Sequence, residues 1–167
     1  MFTLYYFRDD SVIQKIIHAF KYEKMMNLAA VMGAELGELL RNVKVDFIIP
    51  VPLHISKLRE RTYNQSELIA KGISGVTGFN VNTSVLTRTR YTKSQAGLGL
   101  AERHENVSDA FAVSNSKYVS GKKILLVDDV ITTGATIKEC AKALNSAGAS
   151  EIYAASVAYA FSTNDMK

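Results

Sequence analysis

Apolar positions along this chain alternate between short continuous runs and helical stripes. Residues 2–7 are apolar and aromatic and predict a short strand. Ile13, Ile16, Ile17 and Phe20 share one face at the helical period. A helix is therefore expected through about Tyr22, capped by Asp9 or Asp10. A second helix is expected over residues 28–40, with Leu28, Met32, Leu36, Leu39 and Leu40 turned inward. Residues 46–51 read as a short strand, ended by Pro50 and Pro52. Leu68, Ile69 and Ile73 predict a helix over residues 64–74, closed by Gly75 and Gly78. Residues 81–86 suggest another strand, residues 88–109 are polar and basic, and apolar character returns at 111–113. A buried strand over residues 124–127 leads into a helix with Ile137, Cys140, Ala141 and Leu144 on one face, terminated by Gly148. Residues 152–161 form a last strand of small residues, and 162–167 a frayed tail. Strands alternating with helices imply an α/β fold with a mostly parallel sheet covered on both faces. Ligands of such sheets bind outside the carboxyl ends of the strands.

One of those ends carries distinctive chemistry. The run Ile124-Leu-Leu-Val-Asp-Asp-Val-Ile-Thr-Thr-Gly-Ala-Thr136 places two adjacent carboxylates, Asp128 and Asp129, after the buried strand. A turn with Thr132, Thr133, Gly134, Ala135 and Thr136 follows, and the helix starts directly. Carboxylates can hold sugar hydroxyls. Unpaired amides at a helix start, aided by the helix dipole, favour a phosphate. A ribose 5-phosphate has both parts at that separation. The same residues would also suit an ordinary βα unit whose acids cap the helix or hold Mg²⁺.

Composition narrows the class. At 167 residues, 47% hydrophobic and 22% charged, the chain fits one domain with a full core. It has no apolar run of about 18 residues, so no membrane span is expected. Its first residues lack a basic region followed by an apolar one, so no signal peptide is expected. The single cysteine, Cys140, excludes an internal disulfide and suits a reducing cytoplasm. A net charge of +4 permits an anionic partner, either nucleic acid or a pyrophosphate. The basic residues concentrate around 57–61 and 88–103, where a pyrophosphate serves better. His18, His54 and His104 are scattered and make no zinc site. Gly97 and Gly99 lack the preceding strand that a dinucleotide loop requires.

Two further segments carry charge. Residues 50–65 follow a buried strand, and their turn, Val51, Pro52, Leu53 and His54, would present backbone amides with Lys57, Arg59 and Arg61 close by. Fixed donors with mobile cations suit an anionic leaving group. A solvated basic helix start is the plainer alternative. Residues 87–106 form a long basic stretch, and such stretches in compact domains are often lids, or else exposed hairpins.

Thirteen unbroken residues, 124–136, resemble the phosphoribosyl-pyrophosphate (PRPP) binding signature of type I phosphoribosyltransferases. Three motifs in order resemble the ComF-type members of that family: Pro-Val-Pro-Leu before Arg-Glu-Arg-Thr-Tyr-Asn-Gln, then Arg-Tyr-Thr-Lys-Ser-Gln ahead of Arg103-His-Glu-Asn106, then the signature. The resemblance runs from about Tyr5 to Tyr159. It implies a type I phosphoribosyltransferase fold with a small N-terminal hood and a flexible loop. It implies that Asp128 and Asp129 contact the ribose hydroxyls and that 132–136 wrap the 5′-phosphate. Val51, Pro52, Leu53, His54, Arg59 and Arg61 would face the pyrophosphate. Arg88, Lys93, Gln95 and Arg103 would belong to the closing loop, with Lys93 and Arg103 joining the two acids as catalytic groups. Mg²⁺ would accompany PRPP, held mainly through the substrate. Two departures stand out. Many ComF-type proteins begin with a four-cysteine zinc ribbon, which this chain lacks, and Thr62 stands where glycine is more usual.

The resemblance leaves two functions open. One is transfer of a phosphoribosyl group to a nitrogen base with pyrophosphate release. The other is a non-catalytic PRPP-binding module in DNA uptake during natural competence, with a protein partner of the competence machinery. A weak contact with single-stranded DNA through the basic surface would merge with the second, although no DNA-binding motif is present.

Overall fold

The computed structural model describes residues 1–7, 12–22, 26–90 and 109–160, with backbone alone for 19–22. Asp9 and Asp10, the side chains of Phe20 and Tyr22, Phe161 and the tail 162–167 lie outside the described residues. So do Gly97, Gly99, His104 and the loop residues Lys93, Gln95 and Arg103.

The elements run β1 (Phe2–Phe7), α1 (Val12–Tyr22), α2 (Met26–Leu40), β2 (Phe47–Pro50), α3 (Ile55–Arg61), α4 (Gln65–Thr77), β3 (Asn80–Val81) and β4 (Leu86–Arg88). They continue with β5 (Phe111–Val113), a single 3-10 turn (Ser116–Tyr118), β6 (Lys123–Ile131), α5 (Ala135–Ser146) and β7 (Glu151–Ala160). Five strands form one sheet in the order β1-β7-β6-β2-β3, and every pairing in it is parallel. β4 and β5 pair as a separate antiparallel hairpin.

The central strand β6 is buried on both faces. Leu125 and Val127 enter a core with Leu36 and Leu40 of α2 and Ile69 and Ile73 of α4. Ile124 and Leu126 enter a second core with Cys140 and Leu144 of α5 and Leu86 and Phe111 of the hairpin. A fully buried leucine of this kind contributes about 1.5–3 kcal/mol through area removed from water. On α2, Ala29, Met32, Gly33, Leu36, Gly37 and Leu40 form the buried stripe. Three of these are small, which lets α4 approach closely: a Cβ on Gly33 would lie 2.2 Å from the Ile69 carbonyl oxygen. Leu39, expected inward, is 55% exposed, because it sits beside that stripe rather than on it.

Several boundaries differ from expectation. β6 runs through Asp128 and Asp129 to Ile131, so the acids lie within the strand rather than after it. Its parallel pairing with β7 extends from Lys123 to Ile131 and overrides the low strand preference of aspartate. β2 does end at Pro50, in register with Val127, and one further bond follows it when the Val51 amide donates to the Val127 carbonyl at 2.8 Å. Of residues 81–86, expected as one strand, Val81 ends β3 in the main sheet and Leu86 begins β4 in the hairpin, with 82–85 in neither. Gly75 lies inside α4, which ends at Gly78 in the left-handed region, φ +75°. Among the described residues no helix is long and apolar enough to cross a membrane.

The connections define where a ligand can sit. After β2 the chain moves outward to β3, with α4 on one face. After β6 it moves the other way to β7, with α5 on the opposite face. The carboxyl ends of the adjacent strands β2 and β6 therefore flank the point where strand order reverses, the crevice that α/β sheets use for ligands.

Candidate functional site

Both predicted anion segments open onto that crevice. Residues 51–54 leave β2 beside β6, and Asp128 and Asp129 lie near the carboxyl end of β6, which Ile131 ends. Each acid accepts a hydrogen bond from the next amide. Asp129 N donates to Asp128 Oδ1 at 2.9 Å, and Val130 N donates to Asp129 Oδ1 at 2.8 Å. Asp129 is buried, whereas Asp128 is half-buried and lines a surface depression with Val130, Ile131, Thr132, Gly134 and residues 135–137. Thr132, Gly134, Ala135 and Thr136 are thus gathered on one wall with Asp128.

The turn itself is built for an anion. Gly134, at φ +73°, is the N-cap of α5 and carries no side-chain cap. A residue with a Cβ would be strained there, so glycine is the residue that turns the chain into α5, whose first residues line the depression. Thr133 Oγ1 accepts from Ala135 N at 3.4 Å, which places its hydroxyl at the same helix start. The twelve-residue helix behind it adds its dipole.

The β2 loop is tied down by α4. The Asn64 side-chain amide donates to the Val51 carbonyl at 3.0 Å, and its Oδ1 caps α4 by accepting from Ser66 N at 3.1 Å. Ser66 Oγ donates to Asp128 Oδ1 at 3.0 Å. Asn64 and Ser66 were not foreseen as site residues. Their signal lay in Asn-Gln-Ser just before an apolar helical stripe, which reads as a cap and gives no hint of its long-range partners.

The other predicted residues take more varied places. His54 caps the short helix α3 through Nδ1, which accepts from Ser56 N at 3.2 Å. Pro52 and Leu53 precede it, half-buried. Arg59 is exposed on α3, Lys57 pairs with Glu60 at 2.8 Å, and Arg61 Nη1 donates to Gln65 Oε1 at 3.2 Å. Thr62 sits at φ +68° as the C-cap of α3, which explains why glycine suits this position. Arg88 lies in β4 with its guanidinium 5.2 Å from the centre of the Phe111 ring. Burial lowers the Arg88 pKa from its ordinary value, opposed by the charges of Cys140 and Asp128. Burial pushes the Cys140 thiol well up, reinforced by Asp128, so this cysteine is a core residue and a poor nucleophile.

No group of three or more His, Cys, Asp or Glu side chains that could hold a metal occurs among the described residues. The two carboxylates at the crevice are the oxygen donors available to Mg²⁺, which needs only one or two from protein when a phosphorylated substrate supplies the rest.

A crevice of this kind, at a topological switch point with a helix start on one side, is where α/β proteins hold phosphorylated ligands. Residues 56–167 match the phosphoribosyl transferase domain, and the chain belongs to that family. Competence protein F of Haemophilus influenzae is 31% identical over 145 residues, 82% of this chain and 63% of that protein. DNA utilization protein YhgH of Escherichia coli O157:H7 is 31% identical over 144 residues, again 82% of this chain and 63% of that protein. These relatives bear out the ComF-type resemblance, and the chain spans about 63% of their length. A solved structure described as the allosteric regulatory enzyme of purine biosynthesis shares the fold, with a TM-score of 0.52 and 23% identity over 77% of this chain and 25% of that one.

Proposed function

We propose that the crevice binds PRPP or a related 5-phosphoribosyl ligand and that the chain transfers its phosphoribosyl group to a nitrogen base. The observation that carries this reading is a depression lined by both Asp128 and the start of α5. A ribose on the acids would place its 5-phosphate at the 132–136 turn and direct C1 toward residues 51–54. The C1–oxygen bond to pyrophosphate breaks, positive charge develops on the sugar, and a nitrogen of the base forms the new bond to C1 and loses its proton. Asp128 and Asp129 hold the ribose hydroxyls. The turn anchors the phosphate, so binding energy far from the reacting carbon fixes its position. Main-chain donors of 51–54 and the basic side chains Arg59, Arg61, Lys93 and Arg103 would stabilise the departing pyrophosphate. Mg²⁺, when bound with the ligand, neutralises charge on the pyrophosphate.

The relatives' names speak of competence and DNA utilization, and they motivate a second reading, a PRPP-binding module that would serve DNA uptake without turnover. It would act beside a protein of the competence machinery and touch single-stranded DNA only weakly. Calorimetry with PRPP and ribose 5-phosphate in the presence of Mg²⁺ tests both. Binding followed by pyrophosphate release with some base supports transfer. Binding with no release from any base of a broad panel supports the module. Failure of both ligands to bind at millimolar concentration refutes the shared premise.

A further inference from the structure

The ribose clamp and the loop assigned to the leaving group are separate segments, 77 residues apart between Val51 and Asp128. Both are nonetheless fastened to one short piece of chain. Asn64 reaches the Val51 carbonyl, and Ser66, two residues on, reaches Asp128 Oδ1. A third bond, Ser66 N to Asn64 Oδ1, locks the two side chains' geometry together. Ser66 is only 4% exposed, so water cannot take over its bond to the carboxylate. The segment cannot slide, because α4 is wedged against α2 with Gly72 over the Ala30 carbonyl.

Resting on the reading of Asp128 as a ribose-binding acid, we infer that the first turn of α4 is a bridge that sets ribose and pyrophosphate recognition jointly. Ser66 is the positioning residue for the ribose and Asn64 for the leaving-group loop. Ser66 holds one carboxylate oxygen together with the Asp129 amide and so tightens the rotamer that presents the group to a hydroxyl. Asn64 fixes the carbonyl at the start of the loop and thereby the direction in which the following amides face. A ligand that spans both halves meets two surfaces whose separation is already set, which lowers the ordering cost of binding. A ligand with only one half gains from only one of the two side chains.

The test uses S66A, S66T and N64S in the full chain, with thermal melts to establish folding. Calorimetry uses ribose 5-phosphate, its 2-deoxy and 3-deoxy analogues, and PRPP with Mg²⁺. Wild type should prefer ribose 5-phosphate over at least one deoxy analogue by about tenfold or more. In S66A that preference should shrink below about threefold while the analogue binds as before, and S66T, which keeps the hydroxyl, should restore it. Serine at 64 can still cap α4 but cannot reach the loop as an amide donor. N64S should therefore weaken PRPP by about fivefold or more and leave ribose 5-phosphate unchanged. The inference is overturned if S66A weakens ribose and deoxyribose ligands equally or keeps the full preference. It is equally overturned if N64S affects both ligands alike. Wild type that binds none of these sugars removes the functional reading and this inference with it, whereas binding with unaltered variants removes the inference alone.

Discussion

Two glycines three residues apart on α4 should respond to alanine with opposite signs. A Cβ added at Gly72 would lie 2.2 Å from the Ala30 carbonyl oxygen, 2.8 Å from Ala34 N and 2.9 Å from the Gly33 carbonyl carbon. All three are backbone atoms of α2, and no rotamer can relieve them. Normal contact requires the helices to separate by roughly 1 Å, a gap that forfeits a quarter to a half of the dispersion well across the interface. The residues affected include Met32, Leu36, Ile69 and Ile73, all in one core. Overpacking costs about 1–3 kcal/mol where side chains can adjust, and a backbone wedge belongs at the top of that range, so G72A should cost about 3 kcal/mol. The midpoint should fall by about 6–12 °C for a chain of this size. At Gly75 an added Cβ meets nothing within 4 Å, and the residue is inside the same helix. G75A should stabilise by about 0.5–1 kcal/mol through the lower conformational freedom of the unfolded chain. Urea and thermal unfolding followed by far-ultraviolet circular dichroism, with unchanged urea m-values, measures both. G72A within 1 kcal/mol of wild type, or a destabilised G75A, would refute the picture of a helix pair in backbone contact.

Replacing both acids, D128N with D129N, should lower ribose 5-phosphate affinity at least about tenfold with the fold retained; unchanged calorimetric affinity would count against the ribose assignment. Cys140 is fully buried with its thiol pKa raised, so iodoacetamide at pH 8 should label it only after denaturation, as mass spectrometry can show. The Lys123 amide and the Lys122 ammonium hold the exposed Asp46 carboxyl below its ordinary value of about 3.9. A depressed folded pKa gives stability that is present above the unfolded value and lost as pH falls through the folded one. D46N should therefore cost stability at pH 7 and much less near pH 2, read from urea midpoints. An equal cost at both pH values would exclude the charge as its source.

The architecture was legible because its central strand is so apolar that both faces had to be covered, and because the acid pair and threonine-glycine turn stand together in the chain. What escaped was whatever depended on distant partners. Aspartate is a poor strand former, so the strand seemed to end at Val127, yet pairing with β7 carries it through Ile131. Helix α3 buries none of its residues, so no apolar stripe announced it, and its basic residues alone suggested the solvated helix start that it is. Gly33 and Gly72 carry no apolar signal, and their purpose shows only in the contact between α2 and α4. Asn64 and Ser66 have only the local pattern of a cap, and their bonds to Val51 and Asp128 close only in the folded chain. The part of the site assigned to Lys93, Gln95 and Arg103 lies outside the described residues.

The register that aligns Phe2 with Ala155 has a consequence for biogenesis. Among the described residues β1 pairs with β7 alone, so its backbone must wait for residues 151–160 before it finds that partner. During that interval the emerging polypeptide carries an uncovered aromatic edge, and closure demands a contact across most of the chain, a requirement that slows folding and invites self-association. Synthesis of residues 151–160, rather than of β1 itself, sets the earliest moment at which these five strands can be joined.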